Sequence, residues 1–167
     1  MEKTIPWIEK YRPKTLDDLI VDEITLTKLR SIIERSDMPN IIITGMPGIG
    51  KTTTILCLAH SLLGKYYKDA VLELNASDDR GIKTVQNTIN SFCKKKMQIA
   101  KNVRKHKIIL LDEADNMTEK AQKLIGNLME KYGETTRFAF TCNTSNDINE
   151  TIQTKCIILR YKRINII

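Results

Sequence analysis

The sequence has no apolar run near the roughly 20 residues that a membrane-spanning helix needs. Its first residues, MEKTIPWIEKYRP, hold no apolar stretch of signal-peptide length. Both absences point to an intracellular protein with no membrane partner. Cysteine and histidine are sparse. Cys57, Cys93, Cys142 and Cys156 stand far apart and form no C-x-x-C pair, and only His60 and His106 accompany them, so no zinc site is expected. Four free thiols in a reducing compartment fit this spacing better than two disulfides. Acid is missing from one long stretch. Between Asp79 and Asp112 there is no Asp or Glu, but there are Arg80, Lys83, Lys94, Lys95, Lys96, Lys101, Arg104, Lys105 and Lys107. Much of the formal net charge of +7 therefore sits in one place. Two readings of that stretch stay open: a polyanion-binding surface, or a solvated helix end and loop.

What is present fits one globular domain. Apolar residues make up 41% and charged residues 28% of 167, enough for a sizeable core. No repeat or low-complexity tract interrupts the chain. Residues 1–20 read as an extended arm, because Pro6 and Pro13 break helix there. Asp22 is a candidate cap for a helix to about Arg35, with Ile24, Leu26, Leu29, Ile32 and Ile33 on its apolar side. Strands are expected at 41–44, 71–74, 107–111, 137–141 and 156–159. Helices are expected at about 51–63 with Gly64 as the stop, at 81–96, and at 118–132 capped by Thr118. Strands alternating with helices give an α/β fold, a five-stranded parallel sheet sandwiched between helices. Ligands of such sheets sit at the carboxyl ends of the strands.

Two motifs fall at those ends. Gly45-Met46-Pro47-Gly48-Ile49-Gly50-Lys51-Thr52 matches G-x-x-x-x-G-K-[ST] in full, between an apolar strand and a helix. The glycines let successive backbone N–H groups turn toward one anion, and the helix beginning at Lys51 adds its positive end. Lys51 would reach the β- and γ-phosphates of ATP, and the Thr52 hydroxyl would ligate Mg²⁺. The second motif is Ile108-Ile109-Leu110-Leu111-Asp112-Glu113, a buried strand ending in two acids. Asp112 is assigned to the Mg²⁺ shell and Glu113 to the attacking water. Asn143 closes the fourth strand. It either orients the water or γ-phosphate, or simply starts a turn.

With these motifs in order, the chain resembles the AAA+ P-loop ATPases, and within them the small subunits of replication factor C, the eukaryotic sliding-clamp loader. The segments that carry the likeness are PWIEKYRPKTLDDLI, NIIITGMPGIGKTT, LELNASDDRGI, HKIILLDEADNMTEKAQ, TRFAFTCN and CIILRY. GMPGIGKTT with ILCLAHSLLG is most similar to the branch numbered 2 in animals and 4 in yeast. The resemblance implies an adenine pocket lined by the Tyr11-Arg12-Pro13 arm and Val21. It implies a nucleotide set of Pro47, Gly48, Ile49, Gly50, Lys51, Thr52 and Thr53, and a sensor role for Asn143. It further implies a nuclear protein in a five-subunit ring with other replication factor C subunits, a sliding clamp and primer–template DNA. Arg80, Gly81 and Ile82 of DDRGI would touch DNA phosphates.

The chain departs from the family in three places. Thr154-Lys155-Cys156 stands where the family has Ser-Arg-Cys, whose arginine acts on the neighbouring subunit's nucleotide. Lys155 keeps the charge of that trans finger but lacks the planar fork. Gly126 and Asn127 replace an Arg-Arg pair near the DNA. Asp147 and Thr151 replace a lysine and a proline. Family members also continue into a helical lid and a collar. The resemblance thus divides the chain into an arm at 1–20, an ATPase core at 21–162 and the start of a lid at 163–167. As it stands, the chain is expected to bind nucleotide less tightly and to assemble poorly. Two other functions remain in view: a non-hydrolysing structural subunit of the ring, or another AAA+ ATPase such as a branch-migration helicase or helicase loader.

Overall fold

A computed structural model describes residues 12–77, 81–98 and 105–162. Five strands form one parallel sheet: β1 (Ile41–Thr44), β2 (Val71–Asn75), β3 (Lys107–Asp112), β4 (Thr136–Cys142) and β5 (Ile157–Arg160), in the order β2-β3-β4-β1-β5. The central strands are apolar on both faces, so helices must cover both. Side chains alternate between two cores. Ile41 and Ile43 of β1, with Ile108 and Leu110 of β3, pack on the face that holds α1 (Glu23–Arg35) and α2 (Lys51–Leu63). Ile42, Ile109, Leu111, Phe138 and Phe140 face the other way, toward α4 (Ile82–Lys94), α5 (Glu119–Lys131) and α6 (Glu150–Gln153). A short α3 (Tyr67–Ala70) leads into β2. No helix among the described residues is long and apolar enough to cross a membrane.

The caps explain where the longer helices begin. Asp22 accepts a hydrogen bond from Thr25 N at 2.9 Å, and Thr118 accepts one from Ala121 N at 3.2 Å. Four-residue α3 and α6 are too short for any periodicity to predict them. The start of α6 nevertheless carries a cap, because Asn149 accepts from Ile152 N at 3.0 Å.

Two expectations need correction. The arm is not extended throughout. Leu16–Asp18 forms a 3-10 turn, closed by Thr15 Oγ1 donating to Asp18 Oδ2 at 2.9 Å, and Leu16 is buried in the first core. A Thr-x-x-Asp box next to Pro13 was enough to curl the chain. Ile24 is 70% exposed, so the apolar side of α1 is narrower than its spacing suggests.

The basic stretch divides in two. Lys105 Nζ donates to Leu62 O at 2.6 Å at the end of α2, and buried Lys107 donates to Phe92 O and Lys95 O at the end of α4. Both cations thus satisfy helix-terminal carbonyls. Burial pulls the Lys107 ammonium below its ordinary pKa. Lys83, Lys94, Lys95 and Lys96 are exposed, while Lys101 and Arg104 lie outside the described residues. The four cysteines are free thiols. Burial pushes Cys142 up to about 11 and Cys156 up to about 12, so both stay protonated at neutral pH.

Candidate nucleotide-binding site

The loop between β1 and α2 is shaped by its glycines. Gly50 caps α2 with φ 87°, in the left-handed region that a side chain disfavours. The 13-residue α2 begins directly after that turn, and the amino end of such a helix favours an anion. At Gly45 the constraint is space. A Cβ there would overlap the Ile49 side chain and lie 3.0 Å from Tyr161 O. Gly45→Ala is expected to push the loop off β5 and weaken nucleotide affinity by about 10-fold or more, with a loss of roughly 1–3 kcal/mol in stability. Calorimetric titration with ATP beside a melting curve checks both effects.

Lys51 is only 9% exposed, and its direct partners are all neutral. Nζ donates to Gly45 O at 2.6 Å, Met46 O at 2.9 Å and Asn143 Oδ1 at 3.3 Å. Desolvation lowers its pKa, while Cys142, Asp115 and Asp112 act the other way. A buried ammonium beside the amino end of α2 is a donor set that fits a polyphosphate.

The acids reach this loop across β4, which lies between β1 and β3. Thr52 Oγ1 donates to Asp112 Oδ1 at 2.7 Å, and Thr141 Oγ1 donates to the same oxygen. Glu113 has φ 54°, and its N–H donates to Thr141 Oγ1 at 3.1 Å. Its Oε2 lies 3.1 Å from Ser77 Oγ, which also sits 2.6 Å from Asn75 Oδ1. The Asn143 N–H donates to Asp115 Oδ2 at 3.1 Å. Lys51, Thr52, Asp112, Glu113 and Asn143 therefore converge at the carboxyl end of the sheet. A hydroxyl and a carboxylate 2.7 Å apart form the oxygen-rich pair that suits Mg²⁺.

A cleft of about 340 Å³ opens beside the loop. Pro13, Val21, Gly48, Ile49, Gly50 and Thr53 of the expected set line it. Arg12 does not. It is exposed and lies within electrostatic reach of Cys57 and Tyr67 instead, while Tyr11 falls outside the described residues. Exposed Pro47 belongs to the loop but not to the cleft wall.

Sequence reasoning missed Tyr161, Thr141, Asp115 and Ser77. Tyr161 lines the cleft; its hydroxyl donates to Thr54 Oγ1 at 2.7 Å and its N–H to Thr44 O at 2.8 Å. Burial raises that phenol to about 12. Thr141 carried a legible signal, a hydroxyl within the apolar run Phe138-Ala139-Phe140 to Cys142.

The remaining expected residues lie elsewhere. Gly81 precedes α4 with φ 88° and Ile82 opens that helix, with no side-chain cap from the N-cap Gly81; Arg80 is outside the described residues. Lys155 sits before β5, whose Ile157 pairs with Ile41 at the start of β1. That is the end of the sheet away from the glycine loop, and Lys155 Nζ is 2.8 Å from Glu130 Oε1 there. Gly126 is buried in α5, and a Cβ placed there would stand 3.6 Å from Thr151 Cγ2, an ordinary van der Waals distance.

Residues 41–163 match the ATPase family associated with various cellular activities (AAA). In sequence, the chain is 56% identical over 160 residues to replication factor C subunit 4 of Schizosaccharomyces pombe, covering 96% of this chain and 46% of that protein. It is 52% identical to replication factor C subunit 4 of Saccharomyces cerevisiae, covering 99% and 52%. Arabidopsis thaliana replication factor C subunit 2 is 49% identical, with 96% and 47% covered. The chain therefore spans about half the length of the curated relatives it matches. Among solved structures, the Thermotoga maritima RuvB Holliday junction branch migration motor aligns with TM-score 0.60 at 17% identity, over 90% of this chain and 48% of that one. A DNA polymerase III gamma subunit-related protein of the same organism aligns with TM-score 0.63 at 19% identity, over 83% and 46%. These two share the fold. With its glycine loop, its paired acids and a family match over most of its length, the chain belongs to the AAA family of ATPases.

Proposed function

We propose that the chain is the ATP-binding and hydrolysing core of a sliding-clamp loader subunit. The observation that carries the ATPase part is the meeting of Thr52 with Asp112, beside Lys51 and Asn143. Lys51 and the loop amides hold the β- and γ-phosphates. Thr52 and Asp112 would hold Mg²⁺, which would neutralise charge on those phosphates. Glu113 orients and deprotonates the attacking water, and Asn143 reports on the γ-phosphate through its contact with Lys51. Adenine enters the cleft between Pro13, Val21 and Ile49, which gives the described part of the 1–20 arm, from residue 12 on, its part in the site. Residues 163–167, where a lid would begin, lie outside the described residues.

The clamp-loader part rests on the likeness to replication factor C subunits over nearly the whole chain. In that setting the partners are other ring subunits, a sliding clamp and primer–template DNA, in the nucleus. Arg80, Gly81 and Ile82 would meet DNA phosphates at the start of α4, with exposed Lys83 beside Ile82. A second reading is favoured by one contact. Lys155, the residue placed to act in trans, is paired with Glu130, and a subunit with a weak finger could serve the ring as a structural member. One experiment separates the readings. The chain, within its full-length protein, is assembled with partner subunits, and single-turnover hydrolysis is followed with and without clamp and primer–template DNA. Stimulation that a Glu113→Gln ring loses supports the loader ATPase. Equal rates in the two rings support the structural subunit, and failure to retain the clamp in a pull-down supports another AAA machine.

A further inference from the structure

We propose that Thr141 is a positioning residue for both acids of the site, a role that rests on the ATPase reading above. Thr141 is 2% exposed in β4, the strand that separates the glycine loop's strand from that of the acids. Its neighbours Ala139, Phe140 and Cys142 are buried and without polar side-chain oxygen. A hydroxyl there is costly unless both its donor and its acceptor are used. Both are. Oγ1 accepts from the Glu113 N–H at 3.1 Å and donates to Asp112 Oδ1.

The two bonds act on different parts of the site. Glu113 stands at φ 54°, and only Ser36 shares a left-handed backbone among the described non-glycine residues. A residue with a Cβ needs outside support to stay there. The Thr141 hydroxyl, with the Glu113 O to Asn116 N–H bond of 3.1 Å, supplies it, and so aims the Glu113 side chain. On Asp112 the same hydroxyl shares Oδ1 with Thr52. Thr52 is the group assigned to the metal, so Thr141 is the donor that stays with the carboxylate when Thr52 turns to its own task. Asn143 follows directly on Cys142, the last residue of β4. One strand thereby orients Asp112 and Glu113 through Thr141, and meets Lys51 through Asn143.

Thr141→Val keeps the shape and removes both bonds; Thr141→Ser keeps the hydroxyl. Amide hydrogen exchange at Glu113 is measured without nucleotide, and ATP binding and turnover are measured against Mg²⁺ concentration. In the valine variant, exchange at Glu113 is expected to speed up roughly tenfold. The Mg²⁺ needed for half-maximal ATP binding should rise, and kcat should fall about 10- to 100-fold with KM at saturating Mg²⁺ nearly unchanged. The serine variant restores all three. Should the valine variant not fold, Thr141→Ala is read in its place. Wild-type exchange and Mg²⁺ response in the valine or alanine variant overturn the proposal. So does a serine variant as impaired as the valine one, because packing of the methyl would then be the cause. If the wild-type protein does not bind ATP at all, the ATPase reading fails, while the exchange result still judges the Thr141–Glu113 bond.

Discussion

Replacing Lys51 with methionine is expected to weaken ATP binding by at least about 100-fold, because two or more charge-assisted contacts to phosphate, each worth about 1.5–3 kcal/mol, disappear together. Turnover should fall below detection. Stability should not fall with it. Lys51 is nearly buried and partly desolvated, and its partners in the free protein are carbonyl oxygens and one amide. Methionine fills a similar length of apolar space without a charge to desolvate. The expected result is an unchanged or raised melting temperature beside lost affinity, read by thermal unfolding and by titration calorimetry on the same sample. A variant that loses stability and affinity in parallel would instead make Lys51 a structural lysine.

Glu113→Gln is expected to separate binding from chemistry. The amide can occupy the same place but cannot take a proton from water. Loss of a general base costs on the order of 10²–10⁴ in rate, so kcat should drop into that range. ATP affinity should stay within about threefold, because Glu113 is exposed and lies outside the Lys51–Thr52–Asp112 cluster. Single-turnover kinetics with a separate equilibrium titration reads both. A proportional fall of affinity and rate would move Glu113 from the chemistry into the binding of metal or nucleotide.

The legible and illegible parts of this protein divide on physical grounds. Strand and helix placement could be read because buried strands need continuous apolar runs and long helices show their period. Asp22, Thr118 and Gly64 marked helix ends through backbone chemistry that acts locally. Lys51, Thr52, Asp112 and Glu113 could be singled out as candidates for a different reason: charge after an apolar strand, or glycine before a helix, has few other uses. Thr141 stands out as a hydroxyl in an apolar run and Tyr161 does not, but what either touches depends on register. Only pairing of β4 between β1 and β3 brings the Thr141 hydroxyl against Asp112, and only pairing of β5 with β1 lays Tyr161 under the glycine loop. Lys105 and Lys107 show the same limit from the other side. In sequence they belong to a basic run; in the fold each is bonded to the last carbonyls of a helix from a different layer.

The most direct test concerns the metal. ATP binding is titrated with and without Mg²⁺ for the wild-type protein and for Asp112→Asn. If Thr52 and Asp112 share one cation beside the phosphates, Mg²⁺ tightens binding in the wild type, and the asparagine variant loses most of that gain while keeping its metal-free affinity. Identical responses to Mg²⁺ in the two proteins would contradict the placement of Asp112 in the metal shell, and with it the nucleotide site described above.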